Sequence, residues 1–130
     1  MIKFSKQRES ILNNLRTRRD HPTADMVYSS LKEELPNISL GTVYRNLSML
    51  AEAGHILKIS TGIGPDRFDG FTGPHNHFVC KCCGRVLDMD YIPEEKIAEN
   101  ASKGFSGKIE EYVLNFYGKC DRCQSADTIS

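Results

Sequence analysis

Two short cysteine hooks carry the strongest chemical signal in the sequence: Cys80-Lys81-Cys82-Cys83-Gly84 and Cys120-Asp121-Arg122-Cys123. In each hook two residues separate a pair of thiols, so both sulfurs can reach one ion. Two such pairs supply the four thiolates that a structural zinc prefers. Gly84 lets the turn after the first hook tighten. Thirty-six residues lie between the hooks, so zinc on Cys80, Cys83, Cys120 and Cys123 would tie a late segment back onto the middle of the chain. Cys82 is left over, and it could replace Cys83 only with poorer hook geometry. The competing reading is of buried or redox-active thiols. There are five cysteines, all after residue 79, and an odd count argues against a disulfide framework.

A second constellation is His75-Asn76-His77. Alternate residues of a strand face the same way, so both imidazoles point to one side. Cys80 is an odd step from His77 and faces elsewhere, which argues for two separate sites rather than one mixed site. Asp69 precedes the pair by six residues, and Asp88 falls on the next expected strand. Imidazoles with carboxylates suit Fe(II), Mn(II) or another borderline first-row ion. Surface histidines near a hinge are the alternative.

The elements that must position these residues can be read from capping and periodicity. Ser5 can cap a first helix whose Ile11, Leu12 and Leu15 share a face. Thr23 can cap a second, with Asp25 in its first turn and a buried stripe of Met26, Val27, Ser30 and Leu31. After the Pro36-Asn37 turn, a third helix from about Ser39 places Val43, Leu47, Leu50 and Ala51 at helical spacing and stops at Gly54. This is the helix-turn-helix pattern. Residues 55–60 and 66–69 read as strands of a following hairpin, a wing. The outward residues of the third helix, Thr42, Tyr44, Arg45 and Ser48, suit DNA bases and phosphates. The solvated face of a protein-binding bundle is the alternative. Beyond a hinge at 70–74, strands are expected at 75–79, 85–89 and 109–117, with a helix at 93–100. The fold class is therefore α+β: a winged helix-turn-helix over residues 1–69, then an α/β metal-binding domain over 75–130.

Bulk properties agree. The chain has 130 residues, 39% hydrophobic and 26% charged, a composition of globular rather than disordered proteins. Net charge is zero, but residues 1–60 hold 9 Lys and Arg against 6 Asp and Glu, and residues 61–130 hold 8 against 11. The basic part suits phosphate and the acidic part suits cations. No apolar run approaches the ~20 residues that span a bilayer, and the first residues lack a signal peptide's apolar core. A cytoplasmic protein is expected.

His21-Pro22-Thr23-Ala24-Asp25, Gly41-Thr42-Val43-Tyr44-Arg45-Asn46-Leu47, Arg67-Phe68-Asp69 and His75-Asn76-His77-Phe78-Val79-Cys80 together closely resemble the ferric uptake regulator superfamily, and within it the peroxide-stress branch. The resemblance runs from about Ser5 to Cys123. It implies a homodimeric repressor that binds an inverted-repeat operator on double-stranded DNA when metallated, with zinc on the four cysteines named above. It also implies a regulatory Fe(II) or Mn(II) site of His21, Asp69, His75, His77 and Asp88. Here His21 enters through the resemblance alone. In that branch the Fe(II) form reacts with hydrogen peroxide and ligand histidines are oxidised; the matching positions are His21 and His75. Asp88 sits where peroxide sensors carry Asp and many iron sensors carry Glu, and His75-Asn76-His77 lacks the longer histidine cluster of many iron-uptake regulators. The family's common N-terminal extension is nearly absent before Ser5, and Cys82 is atypical.

Three other readings stay open. One is an iron, zinc or manganese homeostasis repressor of the same fold. A second is a thiol redox protein, although the βαβ context of such motifs is missing. The third is a zinc-stabilised protein-interaction module. A zinc hydrolase or deaminase fits poorly, since four thiolates leave no open coordination position and no His-x-Glu motif is present. No enzymatic turnover, membrane contact or small-molecule substrate besides metal and peroxide is expected.

Overall fold

The computed structural model describes residues 5–73, 75–90 and 95–129. Three helices open the chain, and each begins at a hydroxyl cap. Ser5 Oγ accepts from the Arg8 N–H at 3.2 Å ahead of α1 (Lys6–Arg16). Thr23 Oγ1 accepts from the Met26 N–H at 3.2 Å ahead of α2 (Ala24–Leu31). Ser39 Oγ accepts from the Thr42 N–H at 3.1 Å ahead of α3 (Leu40–Glu52). Each cap satisfies an amide that the first helical turn leaves unpaired. Gly54, at φ +83°, takes the left-handed conformation that ends α3.

The faces of these helices close one core, built on Ile11, Leu15, Val27, Leu31, Val43, Leu47 and Leu50 and completed by Ile56 and Phe68 from beyond the helices. The stripe of α2 is rotated from the expected one. Ala24, Val27 and Leu31 are buried, Met26 is half-buried and Ser30 is exposed. Ser30 lies at the rim, where its hydroxyl donates to the Val27 carbonyl at 2.9 Å and accepts from Asn14 at 3.0 Å.

The wing is the antiparallel pair β1 (Leu57–Ile59) and β2 (Arg67–Asp69), in register Leu57 to Asp69 and Ile59 to Arg67. The chain then passes Gly70 against the first helix. A Cβ on Gly70 would lie 2.8 Å from the Leu15 carbonyl carbon and 2.9 Å from the Arg16 nitrogen. Those are backbone atoms, which cannot swing aside. Gly70→Ala is expected to cost about 1–3 kcal/mol in urea unfolding, as overpacking does; an unchanged midpoint would show that this approach is not close in solution.

A three-stranded sheet follows in the order β4-β3-β5, from β3 (Asn76–Cys80), β4 (Val86–Met89) and β5 (Asn115–Gly118). β3 pairs antiparallel with β4 and parallel with β5. A parallel neighbour needs a crossover, and α4 (Glu95–Ser102) lies in that connection. Ile59 of the wing packs with Val79 and Val86 in a second, smaller core. The Tyr117 hydroxyl donates to the Thr61 carbonyl of the wing turn at 2.8 Å.

Four expectations need correction here. The strand expected at 109–117 is a ladder only from Asn115. Residues 109–114 have strand composition but no neighbouring strand among the described residues, and Val113 is 86% exposed. α4 runs to Ser102, and Pro93 and Glu94 of the expected helix lie outside the described residues, as does Pro74 of the expected hinge. His75 directly precedes β3 rather than starting it. Finally α5 (Asp121–Ile129), starting inside the second cysteine hook, was not expected. Its sequence is polar and lacks an apolar stripe, so periodicity could not reveal it.

Candidate metal centres

Four of the five thiols converge. Cys80 and Cys83 come from the end of β3 and the turn after it, and Cys120 and Cys123 from the junction of β5 with α5. The Cys80 and Cys123 sulfurs are 3.8 Å apart, as are those of Cys83 and Cys120. A tetrahedral ion with metal–sulfur bonds of ~2.3 Å sets its thiolates about 3.8 Å apart, whereas bonded sulfurs lie at ~2.05 Å. The geometry fits zinc, and all five cysteines are free thiols. The backbone N–H groups of Cys83 and Cys120 each donate to Cys80 Sγ at 3.4 Å. These donors, Cys83 first, hold the Cys80 thiol at about 5, so it is ready as a thiolate. The Cys123 N–H likewise lowers Cys120, with help from the Arg85 guanidinium. Cys123, crowded by the Cys82 and Cys120 side chains, is pushed up. Cys82 is exposed and stays outside the four.

A second cluster joins His21, Asp69, His75, His77 and Asp88, with one donor atom from each lying within 4.8 Å of all the others. Asp69 ends β2, and Asp88 stands opposite His77 in the β3–β4 register. His21 lies in the loop between α1 and α2, at φ +49°. Asp69 Oδ2 is 3.3, 2.9 and 3.2 Å from Nε2 of His21, His75 and His77, and Asp88 Oδ1 is 2.7, 3.1 and 3.5 Å from the same atoms. Two carboxylate oxygens thus each face three imidazole nitrogens. Donors about 2.1 Å from a common first-row ion would be spaced about 3 Å apart, so this set also fits a metal. Odd parity along β3 does separate His77 from Cys80, as strand alternation requires.

The orientation of each donor is fixed from behind. His75 Nδ1 lies 2.8 Å from the Gly73 carbonyl, which can only accept. Nδ1 therefore carries a proton, which leaves Nε2, turned towards the two carboxylates, as the atom available to a metal. The Phe71 N–H donates to Asp69 Oδ1 at 2.9 Å, which leaves Oδ2 for the imidazoles. His21 is 2% exposed and Asp69 6%, whereas the Asp88 side chain is 34% exposed, so Asp88 marks the open side. A cavity of about 750 Å³ runs past His75 and His77, walled in part by Leu57, Ile59 and Tyr112.

Electrostatics favour a cation here. Burial disfavours the His21 cation, but the bonds to Asp69 and Asp88 outweigh it and raise His21 above its ordinary value of 6.5. Burial likewise opposes the Asp69 carboxylate, yet bonds from His21, His77, Phe71 and His75 hold its pKa far below the ordinary 3.8. The sign of the linkage follows. The Asp69 contribution is present above pH 3.8 and fades as pH falls through its depressed value, while the His21 contribution is full below 6.5 and fades as pH rises through its raised value. With the zinc retained and this cluster stripped by chelator, the melting temperature is expected to fall from pH 6 towards pH 8, and His21→Ala should flatten that decline.

The outward face of α3 shows Tyr44, Arg45 and Ser48 exposed and Thr42 half-buried. The Arg45 Nη2–H donates to Thr42 Oγ1 at 3.1 Å, which orients the guanidinium along the helix face. Asn46, given no role by the sequence reading, is buried on the other face. Its Oδ1 accepts from Arg8 Nε at 2.7 Å and its Nδ2 donates to the Thr42 carbonyl at 2.9 Å, fastening α1 to α3. A lone polar residue on an otherwise apolar helix face was the available signal.

A winged helix-turn-helix with an exposed polar face on its third helix, joined to a sheet with two convergent donor sets, defines a metal-binding transcription regulator. The chain belongs to the ferric uptake regulator family, which matches residues 1–117. It is 32% identical over 126 residues to the peroxide operon regulator of Bacillus subtilis (strain 168), covering 97% of this chain and 87% of that protein. Among solved structures, the ferric uptake regulator of Francisella tularensis with iron superposes with a TM-score of 0.79 at 26% identity, covering 95% of each chain. The peroxide stress regulator of Campylobacter jejuni superposes with a TM-score of 0.72 at 31% identity, covering 90% of this chain and 88% of that one. No helix among the described residues is long and apolar enough to cross a membrane.

Proposed function

We propose that this chain is a metal-dependent repressor that senses hydrogen peroxide, acting in the cytoplasm as a homodimer on an inverted-repeat operator. The observation that carries this reading is the five-donor cluster. It draws His21 from the loop between α1 and α2, Asp69 from the end of the wing, His75 from just before β3, and His77 and Asp88 from the sheet onto one point. Residues 1–69 are the DNA-binding domain, 70–74 the hinge and 75–130 the dimerisation domain. Cys80, Cys83, Cys120 and Cys123 hold structural zinc, and the five donors hold regulatory Fe(II) or Mn(II).

With all five donors engaged, the His21 loop is fixed against the sheet, and so is the angle of the first domain. One angle sets the two recognition helices of a dimer about a helical turn apart on DNA, with Thr42, Tyr44, Arg45 and Ser48 in the groove. Metal affinity and DNA affinity are then linked, each favouring the same conformer. Ferrous iron held by these donors would activate peroxide. Each peroxide then puts one oxygen on the ring of His21 or His75: the ring carbon gives up two electrons, and the other peroxide oxygen leaves as water. The cavity beside His75 and His77 offers a small solute a path. An oxidised ring is a poorer ligand, so the His21 loop is released and the fixed angle is lost. The reaction consumes the sensor and is not turnover.

The test is anaerobic binding to the operator selected by the Mn(II)-loaded protein, with Mn(II), with Fe(II), and with Fe(II) followed by stoichiometric peroxide. Both metals should support binding, and peroxide should abolish only the Fe(II) complex, with one oxygen added to the peptide of His21 or His75. Binding that follows metal but ignores peroxide would identify a metal-homeostasis repressor instead.

A further inference from the structure

Arg67 is two residues before Asp69 on β2, so both side chains leave the strand on the same face. The Asp69 carboxylate enters the five-donor cluster. The Arg67 guanidinium binds two backbone carbonyls from distant parts of the chain. Its Nη1–H donates to the His21 carbonyl at 3.2 Å, and its Nη2–H donates to the Gly84 carbonyl at 3.3 Å.

Those carbonyls are not incidental. His21 supplies a donor to the cluster from a backbone at φ +49°, a conformation that residues other than glycine adopt rarely. It must be held there by its surroundings. The same strand holds the next residue too, since the Phe68 N–H donates to the Pro22 carbonyl at 2.9 Å. Gly84 closes the first cysteine hook, and its N–H donates to the Cys80 carbonyl at 2.9 Å. One guanidinium thus spans the His21 loop, the wing and the thiol knuckle.

We infer that Arg67 is a positioning residue that ties the cysteine knuckle to the His21 loop, so that the formed knuckle presets His21 for metal. This rests on reading the five donors as a metal site. A rigid planar fork with separate donors can hold two carbonyls in fixed relation, whereas a lysine ammonium is a point charge on a flexible stem. The coupling is reciprocal: an ion held by His21 also favours the closed knuckle.

The test compares zinc-loaded full-length wild type, Arg67→Met, Arg67→Lys and His21→Ala. Mn(II) affinity is measured by competition, the Co(II) absorption spectrum reports the ligand set, and melting is followed with and without Mn(II). Arg67→Met should keep its zinc, lose Mn(II) affinity by about tenfold or more, as loss of an orienting contact does, and give the Co(II) spectrum of His21→Ala. Arg67→Lys should fall between, and it decides the matter should Arg67→Met fail to fold. Unchanged Mn(II) affinity and Co(II) spectrum would overturn the inference. So would an equal drop in melting temperature with and without Mn(II), which marks a merely structural contact, or loss of zinc from both variants. A wild type that takes up no second ion would instead overturn the metal-site reading beneath it.

Discussion

A Cys120→Ser chain is expected to retain no zinc, to lose the dimer, and to lose cooperative unfolding in its C-terminal half while the N-terminal helices survive. The two halves differ in what holds them. Among the described residues the N-terminal core has twelve buried apolar side chains, and the second core has Ile59, Val79 and Val86. Three strands of four or five residues cannot make up that shortfall. Structural zinc contributes about 10–16 kcal/mol to folding in small domains, as much as the whole stability of an ordinary one at about 5–15 kcal/mol. Cys120 is 2% exposed, and its sulfur lies 3.8 Å from that of Cys83, so its loss takes a buried donor out of the cluster. Metal analysis, size-exclusion chromatography and limited proteolysis check this, the last yielding a resistant fragment that ends soon after β2. Cys82→Ser is the control and should keep its zinc, because Cys82 is exposed and outside the four. A folded, zinc-loaded Cys120→Ser dimer would falsify the four-thiolate assignment.

The second large effect is expected at Asp69. Its Oδ2 lies within 3.3 Å of all three imidazole nitrogens, and the carboxylate is 6% exposed. Asp88 reaches the same nitrogens from the open side, where water can take its place. Loss of an orienting group behind a ligand costs about 10–100-fold in affinity. Loss of the buried ligand shared by three histidines should exceed the upper end, so Asp69→Ala is expected to weaken Mn(II) binding by more than about 100-fold, or about 2.7 kcal/mol, with zinc unchanged. Asp88→Ala should cost less. Chelator competition on the zinc-loaded protein ranks the two, and the reverse order would show that Asp69 is not the hub.

Much of this was legible in the residues, for reasons that differ by element. The three helix starts were readable because Ser5, Thr23 and Ser39 are caps, and a cap acts locally. Both cysteine hooks were legible because a two-residue spacing constrains two sulfurs wherever the chain goes. His75 and His77 were paired by strand alternation, which reached one residue beyond the ladder itself. His21 was invisible to spacing. It is 46 residues from Arg67 in sequence, and its place depends on a loop folded back by long-range contacts; only the family resemblance pointed to it. Residues 109–114 misled for the opposite reason, since β-branched and aromatic content gives a propensity but a ladder needs a neighbour. The helix from Asp121 was missed because it has no apolar stripe.

The odd step from His77 to Cys80 along β3 has a bearing on how the protein is loaded in a cell with mixed metals. Neighbouring donors on one strand, had they faced the same way, would have offered a hybrid pocket open to whichever ion arrived first. Facing opposite sides, the strand instead acts as a sorter. Sulfur on one side suits zinc and other soft or borderline ions, and nitrogen with oxygen on the other suits the harder ones. A borderline ion such as zinc can still occupy the nitrogen and oxygen side, so supply as well as donor type decides what sits there. A three-residue offset in the sequence thus keeps the two donor sets apart, so that an ion on one side does not draw on the donors of the other.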